Sequence, residues 1–244
     1  MNWQIHYRVY RQKSDAGRPH YEDFTVAIKP DESVLDGIEK IWAQQDQSLT
    51  FRHACHHASC GTCGMRVNGI EKLSCVTLIQ DVARDGDTLT IEPMRHFPVV
   101  SDLVVDMGPF FENIKRTEFS IMRSAEPWLA NRRPAPAAEE NFIRFENCIE
   151  CGLCVSACPI AGTDETFLGP AALAGIWRMI EEPRGQNTTT LSKMADTAHG
   201  AWRCHTALEC TSVCPSNADP GGKIMQLRRQ LIVDRLKDLL GLPS

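Results

Sequence analysis

The chain is predicted to be α+β and to divide into residues 1–104, a mixture of strands and helix, and residues 105–244, mostly helical. Three observations predict this. Apolar residues alternate with polar ones only in the first part, helical spacing dominates the second, and the eleven cysteines fall into groups whose spacing changes between the two.

In the first part, Trp3, Ile5, Tyr7 and Val9 alternate with polar residues, the period of a half-buried strand. A polar turn containing Gly and Pro follows at residues 14–19, after which Phe24, Val26 and Ile28 alternate again, predicting a hairpin. Ser33 is placed to cap a helix carrying Val34, Leu35, Ile38, Ile41 and Trp42. A cysteine-rich loop spans residues 55–64, a short hairpin turns at Asn68-Gly69, and Leu89 and Ile91 mark a last strand ended by Pro93. Hairpin, helix, cysteine loop and further strands is the element order of a β-grasp, the plant-type ferredoxin fold.

From Asp102 onward the strand signals stop. Leu103, Val104, Met107, Phe110, Phe111 and Ile114 stand at helical intervals in spite of Pro109, and Leu173, Ile176, Trp177 and Ile180 predict a further helix. Ile224, Leu227, Leu231, Ile232, Leu236, Leu239 and Leu240 define a long amphipathic helix near the C-terminus, expected to face the core in preference to a membrane surface. Residues 131–138, rich in Arg, Pro and Ala, read as an exposed loop.

At 244 residues, two domains fit comfortably, and 43% hydrophobic with 23% charged residues is the composition of a globular chain. A formal net charge of −5 argues against nucleic acid as a partner, because phosphate binding needs clustered positive charge. The basic pairs Arg132/Arg133 and Arg228/Arg229 read as solvated surface. No stretch reaches the ~18 consecutive apolar residues of a membrane span. Ser101, Asp102 and Asp106 interrupt one candidate, and Pro170 and Arg178 bracket the other. Residues 1–10 read as a strand instead of a signal or transit peptide, so a soluble cytoplasmic subunit is expected, compatible with a membrane-bound partner. In such a compartment cysteines stay reduced, and eleven of them in one chain point to metal.

Cys55, Cys60, Cys63 and Cys75 follow C-x4-C-x2-C with a distant fourth cysteine, the plant-type spacing for a 2Fe–2S cluster. Gly61 and Gly64 would let the backbone approach it. A structural zinc site is the competing reading, weakened because only one C-x2-C pair is present. His53, His56 and His57 invite a mixed-ligand, Rieske-like alternative, although four cysteines already complete the cluster.

The second part holds a doublet. Cys148, Cys151, Cys154, Cys158 and Pro159 follow C-x2-C-x2-C-x3-C-P, and Cys204, Ala207, Cys210, Cys214 and Pro215 repeat it with alanine at the second position. In bacterial two-cluster ferredoxins the fourth cysteine of each run serves the other run's cluster. That exchange gives Cys148, Cys151, Cys154 and Cys214 a 4Fe–4S cluster. It leaves Cys158, Cys204 and Cys210 one thiolate short at Ala207, which predicts 3Fe–4S, with a 4Fe–4S cluster carrying a water or other fourth ligand as the alternative. Every cysteine is then used. No hydrolytic triad, catalytic carboxylate pair, phosphate loop or dinucleotide fingerprint is present, so the chain is expected to conduct electrons and leave substrate chemistry to a partner.

A plant-type half followed by a bacterial-type half that lacks one cysteine resembles the iron–sulfur subunits of succinate dehydrogenase and fumarate reductase. The segment His96-Phe-Pro-Val-Val-Ser-Asp-Leu-Val-Val-Asp-Met107 is similar to the family's interdomain segment, and Phe167-Leu-Gly-Pro-Ala-Ala172 to the stretch between its cysteine runs. The resemblance covers roughly residues 3–235. It implies electron transfer between the FAD of a flavoprotein subunit and quinone at a membrane anchor that in some members holds haem b. It also implies a peripheral position on the cytoplasmic face of the bacterial inner membrane, held by anchor subunits. His205, within Arg203-Cys204-His205-Thr206, matches a family residue near quinone or haem, with a surface histidine as its alternative. Two departures stand out: Ile160, Ala161 and Gly162 replace a tryptophan pair common in succinate dehydrogenases, and His56 follows Cys55 where the family usually has arginine. A ferredoxin-type subunit serving another flavoprotein, such as a thiol-dependent fumarate reductase, is the rival within electron transfer, and a zinc-stabilised interaction module is the rival outside it.

Overall fold

The computed structural model describes residues 2–13, 18–117, 147–181 and 188–241; the expected loop at 131–138, the pair Arg132/Arg133 and residues 14–17 of the first turn lie outside them. β1 (Trp3–Arg11) and β2 (His20–Ile28) pair antiparallel with Tyr7 opposite Phe24. The predicted alternation sets their register: Ile5, Tyr7 and Val9 are fully buried while the residues between them face outward. β3 (Gly64–Val67) and β4 (Ile70–Leu73) form the second hairpin, in which Asn68 and Gly69 take φ of 50° and 79°. Two positive φ values are what a type I′ turn requires, and Asn-Gly supplies them at least cost.

β5 (Thr88–Glu92) lies between the hairpins, parallel to β1 and antiparallel to β3, which completes a five-stranded sheet in the order β2-β1-β5-β3-β4. α1 (Val34–Gln44) closes the core. Its N-terminus carries a capping box: the Asp36 amide donates to Ser33 Oγ at 3.1 Å and the Ser33 amide to Asp36 Oδ2 at 2.7 Å. Val34, Leu35, Ile38 and Ile41 are buried as expected, whereas Trp42 is 45% exposed at the edge of the stripe. Gly37 is where the helix meets the sheet, since a Cβ there would stand 1.9 Å from the Tyr7 hydroxyl. α2 (Ile79–Val82) is a single turn.

The structure differs from expectation at residues 99–107. Leu103 and Val104 do not begin a helix. β6 (Val99–Ser101) and β7 (Val104–Val105) form a small hairpin, and α3 (Gly108–Thr117) starts only at Gly108. The cause is Asp102, fully buried with φ 47° at the turn. Its carboxylate accepts from the Gln12 amide at 3.0 Å, from the Thr50 amide at 2.9 Å and from Lys13 Nζ at 2.6 Å, and it pairs with Arg11 Nε at 3.2 Å. Arg11, itself 4% exposed, also holds Glu22 and Asp46. A charge taken so far from water must be met by donors and counter-charges, and those donors dictate a turn where the local spacing suggests a helix.

Two compact units result, Met1–Met107 with Ile149–Ala157, and Gly108–Cys148 with Cys158–Ser244. The sequence instead places one boundary after residue 104. α4 (Leu153–Ala157) belongs to the first unit because Ser156 Oγ donates to the buried Glu71 at 2.9 Å and accepts from the Arg95 amide at 2.9 Å, while Leu153 is fully buried. In the second unit, α5 (Pro170–Glu181) packs against the long α8 (Pro220–Leu240), with α6 (Thr188–Ala195) and the one-turn α7 (Glu209–Ser212) beside them. Leu173, Ile176, Ile224, Leu227 and Leu231 fill this core. The expected stripe of α8 is core-facing only to Leu231. Ile232, Leu236, Leu239 and Leu240 are 48%, 52%, 82% and 68% exposed. Arg228 also differs from its expected place on open surface: it donates to the Cys204 carbonyl at 3.2 Å and lies over the Trp202 ring. Among the described residues no helix is long and apolar enough to cross a membrane.

Replacing Asp102 with alanine leaves Arg11 Nε and the Gln12 and Thr50 amides without their acceptor, and unfolding in urea is expected to show a loss of about 3 kcal/mol. Burial alone would raise the Asp102 carboxyl, yet the Lys13, Thr50 and Gln12 hydrogen bonds and the Arg11 charge hold it below its usual range. Its contribution is therefore whole at neutral pH and is lost as pH falls below about 4, the ordinary carboxyl value, toward the lowered folded one. Asp102→Asn, which cannot ionise, is expected to flatten that part of the stability–pH curve.

Candidate metal centres

None of the eleven cysteines is in a disulfide. The first set lies in the loop between α1 and β3 and in the segment after β4. Cys55 Sγ accepts from the backbone amides of Ser59 and Cys60, each at 3.3 Å. His56, Ala58 and Gly61 have φ of 60°, 58° and 72°, so the chain reverses repeatedly and turns successive N–H groups toward the sulfur. These amides, His57's foremost and then Cys60's, bring the Cys55 thiol down to about 6. Cys60 Sγ stands 3.1 Å from Thr62 Oγ1.

The fourth cysteine is brought in by its neighbour. Ser74, fully buried, donates both its amide (3.2 Å) and its hydroxyl (3.0 Å) to the Cys63 carbonyl, which ties the Cys75 segment to the loop. That segment is held in turn by α1, whose first amides at Val34 and Leu35 donate to the carbonyls of Thr77 and Ser74. Burial pushes the Cys75 thiol up to about 11, with the Cys63 and Cys55 sulfurs adding to the rise. The Ser74 tie places the Cys75 segment against the loop that carries Cys55, Cys60 and Cys63. An anionic iron–sulfur group suits such a cradle of inward amides, and its metal charge offsets the cost of clustering thiolates.

Gly61 carries the tightest constraint in the loop. A Cβ there would stand 2.7 Å from the Cys151 Cβ, and φ is positive besides. Cys151 and Cys154 belong to the first unit, Cys154 within α4, and Cys148 and Cys214 to the second. Cys214 Sγ accepts from the Ala218 amide at 3.3 Å.

Cys158, Cys204 and Cys210 line one small recess together with Ala207, His205 and Thr206. The Cys210 thiol is pushed up to about 12, first by burial and then by the sulfurs of Cys158 and Cys204. Cys158 is raised by burial, against the opposing amides of Ile160 and Ala161, with Cys204 adding to the rise. Cys204 Sγ accepts from the Thr206 amide at 3.4 Å. Three mutually repelling thiols around one recess, with an alanine methyl on its wall, form a donor set that a multi-iron cluster relieves by supplying positive charge. The exposed His205 borders the same recess.

The histidines flanking Cys55 do not join the thiols. His57 Nδ1 bonds the Cys55 carbonyl, while His53 Nδ1 and His56 Nε2 lie 3.1 Å from each other. Sequence reading missed Ser74 and the amide cradle. Ser74 carries no signal beyond preceding Cys75, and amide directions follow from φ values that side-chain identity does not reveal outside glycine.

A 2Fe-2S iron-sulfur cluster binding domain matches residues 6–112, and a 4Fe-4S dicluster domain matches residues 144–218. The chain is 36% identical over 233 residues to a fumarate reductase iron-sulfur subunit of Mycobacterium tuberculosis, spanning 95% of this chain and 93% of that one. It is 33% identical over 242 residues to the corresponding subunit of an Escherichia coli strain, spanning 98% and 95%. To the mitochondrial succinate dehydrogenase [ubiquinone] iron-sulfur subunit of Candida glabrata it is 31% identical, over 93% and 91% of the two chains. A chain of the Mycobacterium smegmatis Sdh1 complex in the apo form superposes with a TM-score of 0.84 at 26% identity, covering 96% of this chain and 98% of that one.

Gly61→Ala adds a methyl 2.7 Å from Cys151 Cβ and forces alanine into positive φ. The backbone term alone costs about 1 kcal/mol. A lower thermal midpoint is expected, together with faster bleaching of the visible absorbance on dilution.

Proposed function

The chain belongs to the iron–sulfur subunits of fumarate reductase and succinate dehydrogenase, and we propose that within this family it carries electrons between the FAD of a flavoprotein subunit and quinone at a membrane anchor. The clusters, when bound, supply one-electron redox steps. In this reading Cys55, Cys60, Cys63 and Cys75 hold the 2Fe–2S cluster. Cys148, Cys151, Cys154 and Cys214 hold the 4Fe–4S cluster, and Cys158, Cys204 and Cys210 hold the 3Fe–4S cluster. Along the chain, residues 1–104 supply the plant-type domain and 105–244 the bacterial-type one, apart from α4, which packs with the first.

The observation that carries the reading is the recess of Cys158, Cys204 and Cys210 with Ala207 on its wall. A methyl group cannot ligate iron, and three thiolates with one vacant corner match a three-iron cluster. His205, on the same wall, is placed to meet quinone or a haem group of the anchor. Around Cys55 the inward amides hold the sulfur in its ligating form and shield it by hydrogen bonds, which favours a higher potential than bare thiolate would give. The chain sits peripherally on the cytoplasmic face of a bacterial inner membrane, held there by anchor subunits. The exposed apolar end of α8 is consistent with that association.

The experiment is electron paramagnetic resonance on the purified native complex, oxidised and then reduced, together with iron analysis. Expected are an oxidised three-iron signal, a reduced 2Fe–2S signal and about nine irons per chain, the sum of the three cluster types. Ala207→Cys is expected to abolish the oxidised three-iron signal and raise the iron content by about one. Zinc in place of iron, or an unaltered spectrum in the Ala207 variant, would overturn the assignment.

A further inference from the structure

Beside the cysteine loop, and separate from its thiols, we propose that Glu39, His53 and His56 form a site for a divalent metal of the zinc class, with water completing the coordination. Glu39 projects from α1, His53 from the segment that follows it, and His56 from the loop itself. Their ligand atoms stand close together: His53 Nδ1 to Glu39 Oε1 is 3.2 Å, His56 Nε2 to Glu39 Oε1 is 3.4 Å, and the two nitrogens are 3.1 Å apart. Ligands at about 2.0–2.1 Å from a tetrahedral zinc ion are separated by about 3.3 Å, the edge of the tetrahedron. All three separations agree with that edge.

Hydrogen bonding accounts for the cluster less well. A single ring proton satisfies the contact between the two imidazoles, but Glu39 Oε1 is shielded from solvent and has no hydrogen-bond partner, although two ring nitrogens lie within 3.4 Å. One carboxylate oxygen and two ring nitrogens converging on a common point is an arrangement that a cation completes. The surroundings hold the donors in place. Phe51 stacks on His53 with centroids 5.2 Å apart and planes at 23°, and the two imidazoles meet at 88°. His56 takes φ 60°, a left-handed conformation that histidine adopts more readily than most side chains, and there its imidazole turns back to Glu39. Two imidazoles and one carboxylate select a borderline ion such as zinc over magnesium or calcium, which prefer oxygen ligands throughout. Both histidine side chains are 43% exposed, so the ion has a path from solvent and room for water. Bound there, it joins α1 to the loop that carries Cys55.

The test is equilibrium dialysis of the iron-loaded full chain, in its native complex, against Zn²⁺ alone, with zinc and iron counted in the same samples. One zinc per chain is expected. His53→Ala and Glu39→Gln are each expected to weaken its retention by ~10-fold or more, since loss of even a supporting contact has an effect of that order. The iron count and visible spectrum should stay unchanged. Glu39→Gln preserves side-chain volume and keeps the test open if the histidine variant folds poorly. Zinc held equally well by both variants, or no zinc retained by the unsubstituted chain, would overturn the proposal. The iron count is read separately, so a failure of the cluster assignment stays distinguishable.

Discussion

Sulfur anions crowded into one place repel each other, and the protein has to prepare for that before any metal arrives. It does so with backbone amides. Around Cys55 three residues in positive φ turn N–H groups inward, and around Cys158 and Cys204 the amides of Ile160, Ala161 and Thr206 do the same. An amide is a donor that cannot be lost by titration, so it stabilises thiolate over a wide pH range. What the backbone leaves uncompensated is visible in Cys75 and Cys210, whose thiols stay strongly raised by burial and by neighbouring sulfur. The remaining charge is what the metal of a bound cluster would offset.

A second, fully proteinaceous charge cluster organises the first unit. Arg11 and Asp102 are buried together, 91 residues apart in the chain, with Asp46, Glu22 and Lys13 around them. Neither charge tolerates burial alone, so the end of β1, the segment after α1 and the turn at Asp102 have to meet. The same geometry delivers residues 49–51 to the start of the cysteine loop, through the Thr50 amide bonded to Asp102. The electrostatic node thus fixes where the cysteine loop begins. Ser74 and the capped N-terminus of α1 fix where its fourth cysteine ends up.

In the second unit the Cys204–Cys210 loop is braced by α8. Arg228 holds the Cys204 carbonyl, while Arg228 and Arg235 lie over the Trp202 ring at 5.3 and 4.9 Å. The Thr211 hydroxyl accepts from the Gly221 amide at 2.9 Å and donates to Asp219, the N-cap of α8, at 2.9 Å. One helix therefore supports the Cys204–Cys210 loop through its first turns and presents exposed apolar residues through its last.

Much of this was legible in the residues alone. The strand alternation, the Asn-Gly turn, the Ser33 cap and the cysteine spacings each encode a local requirement, and local requirements survive in sequence order. Ala207 was legible for the same reason, as a break in a short repeat. The turn at Asp102, the membership of α4 in the first unit, the burial of only half of α8, and the meeting of Glu39 with His53 and His56 were not. Each depends on which distant residue answers a buried charge, an apolar face or a lone pair. Such an answer comes from contacts many residues apart, where spacing along the chain carries no information and only the packed structure decides.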